Sequence, residues 1–205
     1  MKTLVTIALI FTMTLGCSNR ADKEICYAKT AEDYSPELVS ALTSVQNENR
    51  ILIDSSSVFK ALNNVQPVIE LDSTFAPVFK YKAELQCKIG NIDGAIKNAI
   101  HAYSLDKCDI YILPYMTFLF EKKGDDENAD KYLNKAIDAF KSRCKIGCKP
   151  VDRSNLLFLE LYSGQISNEE YIKSISVLND GEFSYLGDIY SNFDKTEFVN
   201  NLCSF

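Results

Sequence analysis

The chain has one histidine, His101, and seven cysteines in 205 residues. These are the side chains whose chemistry is most easily recruited. A histidine works as a general base only beside a nucleophile, and as a metal ligand only beside further ligands. His101 stands alone, on a helical turn between two small packing positions, Ala95 and Ala102. The sequence contains no H-E-x-x-H, no phosphate-cradling glycine loop, no G-x-S-x-G and no nucleotide-binding fingerprint. Cys144 and Cys148 lack a second Cys or His pair at zinc-site spacing. Asp125, Asp126 and Glu127, beside Gly124, lack the ligand spacing of a calcium loop and suit the start of a helix. The sequence is therefore read as non-enzymatic, with no catalytic residue, no metal and no cofactor.

What remains is cysteine chemistry, and it points to export. Lys2 precedes an apolar run from Leu4 to Leu15, then Gly16-Cys17, after which the chain turns polar. A spanning helix needs about 20 apolar residues, so this shorter run reads as a cleaved signal over residues 1–16. Thr14-Leu15-Gly16-Cys17 resembles the lipobox of bacterial lipoproteins, apart from Thr14 at a position where leucine is usual. The resemblance implies that the Cys17 thiol is alkylated by diacylglycerol and becomes the new N-terminus. Ordinary secretion with cleavage near Ser18 is the rival reading.

Six cysteines remain: Cys26, Cys87, Cys108, Cys144, Cys148 and Cys203. An even count in an exported chain suggests disulfides, each contributing about 2–4 kcal/mol. Cys108 with Cys144 or Cys148 is one candidate, and a local Cys144–Cys148 bridge is its rival. Cys87, at the other end of its hairpin, is not expected to reach Cys108.

Charge narrows the partners. The net charge is −6, and loss of residues 1–16 removes only Lys2 among the charged groups. So acidic a surface repels nucleic acid and anionic headgroups, which leaves the membrane to be held by acyl chains alone.

The elements behind these residues repeat. Gly90, Ala95 and Ala102 return 34 residues later as Gly124, Ala129 and Ala136, and one period earlier stand Ser56, Ala61 and Val68. Ile69-Glu70-Leu71-Asp72 likewise returns as Tyr103-Ser104-Leu105-Asp106. Such a period marks a helical-hairpin repeat. Residues 17–35 read as a polar tether, followed by one folded domain over 36–205. Apolar spacing predicts helices over 37–53, 55–71, 76–88, 93–105, 110–122 with a late start near Leu113, and 126–140. Ser142 to Lys149 breaks the period. A fourth, degenerate hairpin follows over 151–178, turning at Gly164, with a capping box at Ser167 and Glu170. Asp180-Gly181 makes a turn, and residues 181–205 supply a closing cap. Phe79, Leu113, Met116, Phe120 and Leu133 are expected to fill the space between helices.

This match of spacing and residue size resembles the tetratricopeptide repeat family, over repeats at about 42–73, 74–107 and 108–141. The first copy is weakest, and in the second Lys82 and Gln86 replace large apolar residues. The resemblance implies an all-α, right-handed superhelical solenoid of hairpins whose first helices line a concave groove that grips a peptide or helix. Carried over by position, that groove comprises Gln46, Asn47, Arg50, Lys80, Tyr81, Glu84, Lys88, Tyr111, Tyr115, Phe118, Glu121 and Lys122. Tyr111, Tyr115 and Phe118 would be aromatic anchors, and Arg50, Lys80 and Lys88 would read acidic groups. The same aromatic stripe also suits a core, with the groove filled by the closing helices. The expected function is a non-catalytic protein-binding adaptor, lipid-anchored in a bacterial cell envelope on the periplasmic face or the cell surface. An immunity or inhibitor protein, and a glycan-binding or small-ligand-binding lipoprotein, are the alternatives.

Overall fold

The computed structural model describes residues 29–48, 54–178 and 182–204. The signal segment 1–16, Cys17, Cys26, Arg50 and the Asp180-Gly181 turn lie outside the described residues. Among the described residues the fold is all-helical. A 3-10 turn, Ala31–Asp33, precedes α1 (Pro36–Glu48), α2 (Ser55–Leu71), α3 (Ala76–Lys88), α4 (Ile92–Leu105), α5 (Ile112–Lys123), α6 (Asp126–Gly147), α7 (Pro150–Tyr162), α8 (Asn168–Ser176), α9 (Ser184–Ile189) and α10 (Lys195–Asn201). No helix among them is long and apolar enough to cross a membrane. The chain divides into two compact units, one of residues up to Ile112 together with Leu202–Phe205, the other Leu113–Asn201.

Two local turns recur at the 34-residue period, down to their hydrogen bonds. Inside the hairpin, Gly90 and Gly124 take φ of 74° and 79°, a region open to glycine because it lacks Cβ. Gly90 N donates to Cys87 O and Gly124 N to Glu121 O, while Asn91 N reaches Gln86 O and Asp125 N reaches Phe120 O. These bonds satisfy carbonyls that the ending helix leaves unpaired. The next residue then caps the following helix: the Asn91 side chain accepts from Gly94 N and that of Asp125 from Asn128 N. Between hairpins, Asp72 Oδ1 accepts from Thr74 N at 2.7 Å and Asp106 Oδ1 from Cys108 N at 3.1 Å. Gly164 (φ 72°) repeats the first device, with Gly164 N on Leu161 O and Gln165 N on Glu160 O.

In the first unit α1 packs on α2, α2 on α3 and α3 on α4. The seam runs through small residues: Ala83, Ala95 and Ala99 have no exposure, and Ala102 has 2%. Their size lets the helix axes approach, and enlarging one in so tight a core costs about 1–3 kcal/mol. Phe75 and Phe79 are buried in the same unit. Gln86, where an apolar residue was expected, is accommodated by its neighbour across the turn: a Cβ on Gly94 would collide with Gln86 Oε1. The cysteine at the end of α3, Cys87, is bonded to Cys203. Residues 29–35, read from sequence as the end of a tether, are folded onto this unit. Lys29 N donates to Asp106 Oδ2 at 2.8 Å, and Tyr34 meets Phe75 edge-on with ring centroids 4.7 Å apart.

In the second unit α6 packs on α7, α7 on α8 and α8 on α9. Phe120 of α5 stacks on Tyr132 of α6 at 5.3 Å. Leu113, Met116, Phe120 and Leu133 are all buried, as expected from sequence, and Ala129 and Ala136 are buried beside them. Pro114 lies in the first turn of α5, where a missing N–H leaves no bond unmade. The 34-residue period does break here, since the next turn glycine, Gly164, follows Gly124 by 40 residues, but the helix does not end at Phe140. Helix α6 continues seven residues past Phe140 to Gly147, because Lys, Ser, Arg, Cys and Ile sustain a helix until a glycine and Pro150 stop it. Cys144 and Cys148 are bonded to each other at that helix end, so the local bridge forms and Cys108 is joined to neither, although Cys108 too is disulfide-bonded.

Candidate functional site

The residues expected to line a groove separate into a partly open set and a buried set. On α1, Gln46 is half-buried and Asn47 exposed. On α3, Lys80, Tyr81, Glu84 and Lys88 follow helical spacing, share one face, and are all half-buried. Lys80 Nζ pairs with Asp109 Oδ2 at 2.6 Å. Tyr111, half-buried, has its backbone N–H on Asp109 Oδ1 at 3.2 Å. The carboxyl of Glu84 is pushed up to about 7 by burial, against the pull of the Lys80 and Lys88 ammonium groups. Burial, and then the charge of Glu84, push the Tyr81 phenol up to about 12. This face therefore offers a protonated phenol, a carboxyl that titrates near neutrality and two ammonium groups. Those are groups for hydrogen bonding and charge recognition.

The aromatic anchors expected on α5 are core. Tyr115 is 5% exposed and Phe118 not exposed at all, which corrects the expectation that these side chains face a partner. Phe118 is enclosed by Phe158 and Tyr162 of α7 and by Phe198 of α10, at centroid separations of 6.1, 4.8 and 5.0 Å. The polar rim of α5 is engaged by the same helices. Glu121 accepts a 2.5 Å hydrogen bond from the Tyr162 hydroxyl and pairs with Lys195 at 2.9 Å, while Lys122 Nζ donates to the Asn200 carbonyl at 2.8 Å. Lys195 also lies 4.7 Å above the Tyr162 ring. Burial, then the bond to Glu121, raise the Tyr162 phenol well above its usual range. Asp109, Tyr162 and Lys195 were not foreseen as partners of these residues. They lie 29, 41 and 74 positions from the side chains they meet, so no local pattern reveals them.

His101 is exposed and meets Phe79 edge-on at 4.3 Å. Asp125 serves as a helix cap: hydrogen bonds from the side chain and backbone of Asn128 hold its carboxyl below the usual range. Among the described residues no group of three or more His, Cys, Asp or Glu side chains is arranged to hold a metal ion. No protein-family model matches this chain, and no curated protein is similar to it.

Proposed function

We propose that this protein is a non-catalytic adaptor of tetratricopeptide type, held by a lipid on Cys17 in a bacterial cell envelope, and that the α3 face of the first unit receives a segment of a partner protein. The observation that carries the reading is the recurrence of both connecting turns at a 34-residue interval with equivalent hydrogen bonds at Gly90 and Gly124 and at Asp72 and Asp106. Equivalent turns between equivalent helices are what a stack of like hairpins requires, and stacked hairpins typically present their first helices to a ligand. The half-buried row Lys80, Tyr81, Glu84 and Lys88 supports placing the contact on α3. Tyr81 supplies a rigid aromatic surface, Lys88 a charge for an acidic group, and Glu84 a hydrogen-bonding carboxyl between them.

The test is photocrosslinking from position 81 in the full chain, produced in its native envelope, with exposed position 131 as the comparison. A discrete adduct from 81 that is absent from 131 and lost in Lys88→Glu is the expected result. Equal labelling at both positions, or none at 81, overturns the assignment. Intact mass of the mature N-terminus tests the lipid on Cys17 separately.

A further inference from the structure

We infer that the turn joining α6 to α7 is a docking point for an anionic phospholipid bilayer surface. The chain is acidic overall, yet residues 141–153 carry Lys141, Arg143, Lys145, Lys149 and Arg153 against one acid, Asp152. Within this stretch the roles divide. Lys141 and Arg143 lie toward the body of the second unit, where they pair with Glu160 and Asp152 at 3.8 Å each. Lys145 and Lys149 are exposed, and between them stands Ile146 with 54% of its surface open to solvent. An apolar side chain flanked by two ammonium groups has the composition of an interfacial contact, in which the hydrocarbon enters the headgroup boundary and the lysines meet phosphates.

The Cys144–Cys148 bond closes a short ring around Lys145, Ile146 and Gly147, which restrains the backbone that carries the exposed isoleucine. The net charge of −6 does not cancel the attraction at contact. Charges more than about 8 Å away are largely screened at physiological ionic strength, so a bilayer meets the local lysines first. Charge complementarity alone fits an acidic protein equally well. The protruding isoleucine favours a bilayer, where hydrocarbon lies directly beneath a continuous layer of phosphates and one surface meets both the lysines and the isoleucine. Lys145, Ile146 and Lys149 would make this contact with or without a lipid at Cys17.

The absence of tryptophan from the sequence supplies a clean probe. Ile146→Trp in the full chain places the only indole in the ring. With vesicles of phosphatidylglycerol and phosphatidylethanolamine its emission should shift to the blue and become shielded from aqueous quencher, and raised salt should reverse both changes. With phosphatidylcholine vesicles the indole should stay solvated, even where an acyl anchor holds the protein to them. Adding Lys145→Gln and Lys149→Gln should lower partition to the anionic vesicles about 30-fold, the effect of removing two interfacial lysines. Emission that is unchanged on anionic vesicles, or that shifts equally on both kinds, overturns the proposal; the first result returns the turn to acidic protein partners. A missing lipid on Cys17 would appear in the mass of the N-terminus and leave the response of the indole in place.

Discussion

Phe118→Ala separates a core residue from an exposed anchor by magnitude. The Phe118 ring has no solvent exposure and meets three rings, Phe158, Tyr162 and Phe198. Those walls also hold one another, with Phe158 and Tyr162 lying 5.5 and 5.9 Å from Phe198. The space left by truncation therefore collapses poorly, and the transfer and cavity costs both apply. Phe→Ala at such a site costs about 3–5 kcal/mol, whereas an exposed anchor would lose about 0.5 kcal/mol or less. A loss near 4 kcal/mol multiplies the open population of the second unit by roughly 1,000. Hydrogen exchange on the intact, disulfide-bonded chain reads this directly, as faster exchange of the α5 and α7 amides by about that factor. Acceleration of less than about tenfold, accompanied by loss of a crosslinked partner, would refute the argument and make Phe118 a surface anchor after all.

Three further outcomes follow from the geometry. Glu84 has its carboxyl raised from its unfolded value to about 7, so its neutral form favours the fold. That contribution is complete below about pH 4.5 and is lost as pH rises through 7; Glu84→Gln should remove this dependence and raise stability at pH 8 in denaturant titrations. Gly90→Ala and Gly124→Ala meet no neighbouring atom but keep a positive φ, so each should lower stability by about 1–2 kcal/mol, and by similar amounts, in thermal melts. Unequal losses would mean that the two turns are not equivalent. Replacing Cys87 and Cys203 by serine should cost about 5 kcal/mol against about 2 kcal/mol for the Cys144 and Cys148 pair, because the first bond spans 116 positions and the second 4. Matching losses in urea unfolding would show that loop entropy is not what these bonds supply.

Much of the helical framework is legible because its signals are local. Helices α2 and α3 begin and end where apolar spacing, Pro77 and Gly90 place them, and α4 starts one residue early at Ile92. The end of α6 is not legible in this way, because its apolar stripe stops at Phe140 while the helix runs on to Gly147. Lys141 to Ile146 bury little, yet they contain nothing that interrupts backbone hydrogen bonding. The site was less legible. Tyr115 and Phe118 have one spacing whether they face a ligand or a core, and the choice is made by Tyr162 and Phe198, 44 and 80 positions beyond Phe118. Gln86 departed from the repeat pattern for a reason that lay in Gly94, whose missing side chain makes the room.

The bond from Cys87 to Cys203 has a mechanical consequence. The whole second unit, Leu113–Asn201, lies within the stretch of chain that this bond closes. Tension applied between the described ends, near residues 29 and 204, passes through the sulfur atoms and bypasses everything between them. About 400 Å of contour length stays locked while the bond is intact, at about 3.5 Å for each of the 116 positions. A load on the two ends therefore falls on residues 29–87 of the first unit, and α4 is bypassed along with the second unit. Reduction of this single bond would bring the second unit under tension and roughly triple the length the protein pays out, because about 59 positions carry the load while the bond is intact and 116 more join them.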